Sequence, residues 1–388
     1  MTGVTPDATM ANRVLVVVGT RPEAIKMAPV IRALRASEVP VDTRLALTGQ
    51  HSDLVDEVLR IFQLKADWDL GIMQEGQSLT EIAVRCLEGL DELLRQWRPE
   101  LILVQGDTAS VFFAALAGFF QGVPRAHVEA GLRSGTLEQP FPEEGFRRLT
   151  GVLADLHFAP TVDAGKNLLR EGVADDRIQI TGNPVVDALL DVAGRGWAPE
   201  TPTLKRLLED DAPPFLLLTF HRRESFGRPA ERVFEAIRQL VETEEGLEVV
   251  FPVHPNPRIV EPAHRILAGH SRIHLMAPLG YVDFVSALAG ARGVLTDSGG
   301  IQEEAPTFGT PVLVLREVTE RPEGIRAGVA KLVGTDPRRI VEEGRDLLRR
   351  TSKDRERTRQ TNPYGDGRAG IRIADGVVRY LSEQREGG

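Results

Sequence analysis

Arg13-Val14-Leu15-Val16-Val17-Val18-Gly19-Thr20-Arg21-Pro22-Glu23 is an apolar run, a glycine turn and a helix start in succession. The unbroken run of Val and Leu reads as a strand covered on both faces, because a half-exposed strand would alternate with polar residues. Pro22 and Glu23 suit the first turn of a helix. Ile25, Met27, Ala28, Val30, Ile31 and Leu34 then follow the helical period.

The same unit recurs along the chain. Residues 42–48, 101–105, 125–128, 156–159 and 177–181 read as further strands, and helical patterns fill the intervals. Ser78-Leu79-Thr80-Glu81 is a capping box. The helix it opens has Leu79, Ile82, Ala83, Cys86, Leu87, Leu90 and Leu94 on one face and stops before Pro99. Residues 194–214, rich in proline and charge, read as a linker. Beyond them the alternation restarts, with strands at 215–219, 247–253, 273–276, 293–296 and 311–315.

Such alternation specifies an α/β protein with parallel sheets. The expected architecture is two Rossmann-like domains facing one another across a cleft, residues 13–193 and 194–365, after an N-terminal extension of residues 1–12 read as disordered. A C-terminal helix in residues 366–388, carrying Ile371, Ile373, Ala374, Val377, Val378 and Leu381, is expected to cross back onto the first domain and strap the two together.

Composition narrows the function classes. The chain has 388 residues, 27% of them charged, and a net charge of -9. That acidic balance argues against nucleic-acid binding. No apolar run reaches membrane-span length, and residues 1–12 lack the apolar core of a signal peptide, so a cytoplasmic location without a membrane partner is expected. The single cysteine, Cys86, allows no internal disulfide and reads as packing on a helix face. No metal motif, P-loop or GxGxxG occurs, and no metal or cofactor is expected.

In open parallel sheets, ligands lie beyond the carboxyl ends of the strands. The strand ends here carry Arg21 and Glu23, Asp107, and Glu129 in the first domain, and His221, His254 and Ser298 in the second. Asp297-Ser298-Gly299-Gly300-Ile301-Gln302-Glu303-Glu304-Ala305-Pro306 places small residues and free N–H groups at a helix start, where a phosphate is favoured. A plain strand-to-helix turn is the competing reading. Glu304 lies one turn on, suited to ribose hydroxyls. Arg21, Lys26 and Arg321 are candidate diphosphate ligands or surface cations. Asp107 suits a helix cap as well as chemistry. Glu143 and Glu144 suit helix-dipole compensation. Glu129, directly after a buried strand, has no capping geometry to explain it.

Together these stretches resemble the non-hydrolysing UDP-N-acetylglucosamine 2-epimerases. The resemblance runs from Arg13 onward through Gly19 to Lys26, Gly106-Asp107-Thr108, His127 to Arg133, Pro142-Glu143-Glu144, His221-Arg222-Arg223-Glu224, Asp297 to Pro306, Thr319 to Glu323 and Asn362 to Gly367. It implies a glycosyltransferase-B-like fold and reversible inversion at sugar C2 between UDP-GlcNAc and UDP-ManNAc. The implied route eliminates UDP to an enzyme-held 2-acetamidoglucal and adds it back. By position, Asp107, Glu129 and Glu143 resemble the family's acid/base group, and His221 the residue that assists the phosphate. Arg21, Lys26, Ser298, Gly299, Gly300 and Arg321 would hold the phosphates, Glu304 the ribose, and Phe284 would lie near uracil. Gln50 would touch a second UDP-GlcNAc acting as activator. A homodimer is implied by the same analogy. The chain departs from the family's common pattern at Phe146, usually Asn, and at Leu279, polar in some members. The sequence does not divide proton removal and return among the carboxylates. A hydrolysing relative, an epimerase of UDP-2,3-diacetamido uronic sugars, and a glycosyltransferase of the same architecture are the alternatives.

Overall fold

A computed structural model of the chain describes residues 12–49, 53–74 and 76–386. They divide into two compact units, one running to Ala188 and resuming at Gly365, the other Leu189–Tyr364. In the first unit the elements run β1 (Asn12–Val18), α1 (Arg21–Arg35), β2 (Val41–Leu47), α2 (Asp53–Ile61), β3 (Trp68–Asp69), α3 (Leu79–Trp97), β4 (Leu101–Gln105) and α4 (Ala109–Phe120). They continue with β5 (Arg125–Val128), α5 (Glu143–Leu153), β6 (Leu156–Ala159), α6 (Val162–Arg170), β7 (Ile178–Ile180) and α7 (Pro184–Gly194). The second unit carries α8 (Pro202–Leu207), β8 (Phe215–Thr219), α9 (Arg228–Thr243), β9 (Glu248–Pro252), α10 (Pro257–Leu267), β10 (Ile273–Met276), α11 (Tyr281–Gly290) and β11 (Gly293–Thr296). Then follow α12 (Gly299–Glu304), β12 (Val312–Val314), α13 (Pro322–Arg326), β13 (Ala330–Leu332), α14 (Pro337–Leu348) and α15 (Ser352–Gln360), and last α16 (Ala369–Glu386) in the first unit.

Among the described residues, the first unit has a seven-stranded sheet in the order β3-β2-β1-β4-β5-β6-β7, and the second a six-stranded sheet in the order β10-β9-β8-β11-β12-β13. Neighbouring strands pair in parallel, for example Val16 with Leu45 on one side and Leu103 on the other. The strand order reverses between β1 and β4, and again between β8 and β11. Those reversals open the crevices where doubly wound sheets take ligands.

Local sequence explains the elements. Val14 to Val18 are at most 1% exposed, as expected of a strand covered on both faces. Helix α3 starts at the capping box: the Ser78 hydroxyl accepts from Glu81 N–H at 3.2 Å, and Glu81 accepts from Ser78 N–H at 2.7 Å. It ends at Arg98, in the left-handed region with φ of 52°. Cys86 packs on its buried face, and burial pushes the thiol up to about 12.

The boundaries differ from expectation in three places. Strand β1 begins at Asn12, which pairs with Val41 and is 3% exposed, although this residue was read as part of an N-terminal extension. The division between the units falls within α7, between Ala188 and Leu189, where the linker was expected to begin at 194. The stretch read as linker contains α8, whose Leu204 and Leu207 are buried. Strands β3 and β13 were not expected; each is two or three residues long and includes a charged residue, so no apolar run marks it.

Helix α16 belongs to the first unit and lies on α1. Asp187 accepts its first N–H groups, from Ala369 at 3.1 Å and Gly370 at 2.8 Å. Gly370 lies so close to α1 that a Cβ there would stand 3.0 Å from the Pro29 carbonyl. No described helix is long and apolar enough to cross a membrane.

Candidate functional site

In the first unit, the turns after β1, β4 and β5 carry the carboxylates Glu23, Asp107 and Glu129, each with its own set of partners. Glu129 follows β5 and is 7% exposed. Its φ of 64° lies in the left-handed region, a conformation that costs a non-glycine residue about 1 kcal/mol or more. Lys26, on α1, donates to both Glu129 oxygens at 2.7 and 2.8 Å. Asn183 Nδ2 donates to Oε1 at 3.2 Å, and Gln105 Nε2 to Oε2. Lys26 is thus brought to Glu129, a pairing the sequence reading did not anticipate.

Asp107, after β4, is ion-paired with Arg147 of α5. Arg147 also approaches the fully buried Glu144 at 3.3 Å. Glu143 lies one turn before Arg147 on the same helix, with a buried Oε2 that has no hydrogen-bond partner. Arg147 therefore ties the helix of Glu143 to Asp107. Phe146, the departure beside it, stacks on Phe112 at 5.4 Å and meets the edge of Phe113 at 5.9 Å. Helix α5 is held to α4 by that aromatic contact.

Glu23 is 3% exposed; its carboxylate accepts from Gly19 N–H at 2.6 Å and from the Thr20 hydroxyl at 2.9 Å. Burial outweighs those bonds and raises its pKa to about 7. His127 Nε2 donates to the Gly106 carbonyl at 2.7 Å, which fixes its tautomer, since a carbonyl only accepts. Burial lowers His127 to about 4, so the ring is neutral. Arg21 approaches Glu57 at 3.8 Å.

In the second unit the reversal between β8 and β11 is closed by Asp297, which is fully buried. It accepts from the backbone N–H groups of His221 and Arg222. The His221 ring stacks on His254 at 5.9 Å; burial lowers its pKa, against the opposing charge of Asp297. Ser298 caps the start of α12 in position, with its N–H donating to Thr296 Oγ1 at 2.9 Å.

Guanidinium groups surround Gly299. A Cβ there would stand 3.0 Å from Glu320 Oε1, 3.4 Å from Arg222 Nη2 and 3.7 Å from Arg321 Cζ, so a side chain would crowd these charged groups. Arg222 pairs with Glu320 at 2.8 Å, and Arg321 with the buried Glu303. Burial works against the Glu320 charge, yet Arg321, Arg222 and Arg316 hold its pKa at about 2. Gln302, fully buried, links the two halves of this arrangement. Its Nε2 donates to Ser298 O at 3.1 Å, its Oε1 accepts from Thr319 Oγ1 at 2.7 Å, and Thr319 Oγ1 accepts Arg321 N–H at 3.1 Å. Glu304 lies on the Gly300 side of α12, its Oε1 3.6 Å from where a Gly300 Cβ would be. Phe284 is half-buried on α11, and Leu279, before it, is 9% exposed.

The expected residues thus fall into two sets, Arg21, Lys26, Asp107, Glu129 and Glu143 in the first unit and His221, Phe284, Ser298, Gly299, Gly300, Glu304 and Arg321 in the second. Gln50 lies outside the described residues. Gln105, Arg147, Asn183, Asp297, Gln302 and Glu320 were not singled out as site residues by sequence reading. A polar residue directly at the end of an apolar strand was the available signal for Gln105 and Asp297. Among the described residues, no group of three or more His, Cys, Asp or Glu is placed to hold a metal ion.

Comparison with known proteins gives these networks a family. Residues 32–378 match the family model described as UDP-N-acetylglucosamine 2-epimerase. A UDP-N-acetylglucosamine 2-epimerase of Escherichia coli O157:H7 is 48% identical over 371 residues, covering 94% of this chain and 98% of the relative. The structure of S. aureus MnaA with UDP is similar at 42% identity and a TM-score of 0.86, covering 96% and 97% of the two chains. That of UDP-GlcNAc 2-epimerase from Neisseria meningitidis bound to UDP-GlcNAc is similar at 40% identity and a TM-score of 0.84, covering 95% and 100%. The chain belongs to the UDP-N-acetylglucosamine 2-epimerase family.

Proposed function

We propose that this protein interconverts UDP-GlcNAc and UDP-ManNAc by eliminating UDP and adding it back, without releasing free sugar. The observation that carries the reading is the gathering of Asp107, Glu129 and Glu143 in one unit of a chain belonging to this family, with Lys26 and Arg147 among them.

The chemistry needs such a set. The C2 hydrogen of the sugar has no adjacent carbonyl to acidify it, so direct deprotonation is closed. In the proposed step a carboxylate takes the C2 proton, the C–H electron pair becomes the C1=C2 double bond, and the C1–O pair departs with the β-phosphate of UDP. The reverse step forms the C1–O bond again while a carboxylic acid protonates C2 on the opposite face. Inversion therefore calls for proton carriers on both faces of the ring. Asp107, Glu129 and Glu143 are assigned to that group.

Charge accumulates on the departing diphosphate. Ser298, Gly299, Gly300, Arg21, Lys26 and Arg321 are assigned to hold it, with His221 beside it, Glu304 at the ribose and Phe284 near uracil. The position of Arg321 beside Gly299, paired with Glu303 and 3.9 Å from Glu320, supports this reading, since a planar guanidinium fixed by carboxylates at a helix start suits diphosphate oxygens. A homodimer and a second UDP-GlcNAc acting as activator through Gln50 belong to the same proposal.

Product analysis by NMR tests it. UDP-GlcNAc should yield UDP-ManNAc to a stable ratio, whereas steady accumulation of free ManNAc and UDP would establish a hydrolysing enzyme. Glu129→Gln, Asp107→Asn and Glu143→Gln should each retain UDP binding and lose turnover by about 10²- to 10⁴-fold.

A further inference from the structure

Glu129 is engaged by three donor side chains, Lys26, Gln105 and Asn183. A carboxylate offers about four acceptor positions. Lys26 occupies one on each oxygen, Asn183 a second on Oε1, and Gln105 a second on Oε2. Gln105 is 2% exposed and Asn183 is fully buried.

The two amides are arranged at their own expense. Gln105 Oε1 is buried without a partner, so this side chain leaves its carbonyl unsatisfied in order to present its NH2 to Glu129. An unpaired buried carbonyl is costly, and flipping the amide would set oxygen against carboxylate. Asn183 divides its amide: Oδ1 accepts Val185 N–H at 3.0 Å at the start of α7, while Nδ2 turns to Glu129. One donor ends β4 and the other precedes α7, while Glu129 directly follows β5 with a left-handed φ. Three separate segments thus converge on one carboxylate.

We infer that Gln105 and Asn183 are positioning residues that hold Glu129 ionised and fix which way its oxygens point for proton transfer at the sugar. The inference rests on the proposed role of Glu129. The titratable groups near it are Lys26 from α1, which is charged, and His127 of β5, which burial keeps neutral. Lys26 supplies the counter-charge, and the amides supply direction. Neither amide titrates, so the protonation of Glu129 remains the event that the pH profile reports.

Two variants separate positioning from mere packing. Gln105→Leu removes one donor and also the unsatisfied carbonyl, so it keeps the fold. Asn183→Asp keeps the α7 cap and replaces the donor with an oxygen that repels Glu129. Each should lower kcat by about 10- to 100-fold, with KM for UDP-GlcNAc and Kd for UDP within about twofold of the parent. The acid limb of the kcat profile should move to higher pH, and more for Asn183→Asp. A direct measurement independent of turnover is the NMR titration of the 13C-labelled Glu129 carboxyl, whose midpoint should rise in both variants. Unmoved midpoints, or parental kcat in both variants, would overturn the inference. Midpoints that rise in a protein that never forms UDP-ManNAc would instead leave the positioning intact and refute the proposed reaction.

Discussion

Asp297 accepts the backbone N–H of His221 through both carboxylate oxygens, at 3.1 and 3.0 Å, and that of Arg222 at 2.8 Å. A single buried carboxylate thereby joins the ends of β8 and β11, where the strand order reverses. Asp297→Ala should cost about 2–4 kcal/mol, since it leaves two N–H groups without an acceptor. Asp297→Asn, which keeps one oxygen, should cost about half of that. Urea unfolding measures both. Because the Asp297 charge favours protonated His221 while burial disfavours it, the Asn variant should lower the His221 titration midpoint further, as read by NMR.

Gln302 should matter for nucleotide binding although it bears no charge. It spaces Ser298 from Thr319 and so sets where Arg321 stands. Gln302→Met, of similar length, should weaken UDP binding by about tenfold in calorimetry, the equivalent of one or two hydrogen bonds. Unchanged affinity would remove this relay from the phosphate site.

Two buried histidines predict a loss of stability in acid. His127 and His157 pair across β5 and β6, and burial lowers both to about 4. In the unfolded chain each would titrate near the ordinary value of about 6.5. Their native neutrality is thus fully compatible with folding above that pH, and stability is lost as pH falls towards 4, by up to roughly 3 kcal/mol for each. The double variant His127→Gln, His157→Gln should flatten the pH dependence of the urea midpoint in that window.

Glu23 carries the opposite sign. Its folded pKa is raised to about 7 from 4.5, so its contribution is fully present below 4.5 and is lost as pH rises through 7. Glu23→Gln should therefore be more favourable at pH 8 than at pH 4.5, relative to the parent, by roughly 3 kcal/mol. Equal effects at both pH values would contradict this.

The strands were legible where burial on both faces leaves an unbroken apolar run. Residues 101–105, 215–219 and 293–296 were expected as the strands they form. β3 and β13 were not, because Trp68-Asp69 and Ala330-Lys331-Leu332 mix polar residues into two or three positions and leave no apolar run. Glu129 was legible as a carboxylate without a local use. Its partners were not, because Lys26 and Asn183 lie 103 and 54 residues away and pairing at such separation leaves no periodic trace. Arg147 was hidden for the same reason, appearing as one more helix cation until α5 packs beside Asp107. Gln302 drew no assignment within its glycine motif, since its value lies in two side-chain hydrogen bonds that only tertiary structure creates.

The central claim is that UDP leaves and returns while C2 loses and regains a proton. Proton NMR of UDP-GlcNAc incubated with the protein in heavy water tests it most directly. The account predicts deuterium at C2 of both nucleotide sugars as UDP-ManNAc appears. Formation of UDP-ManNAc with the C2 hydrogen retained would contradict it.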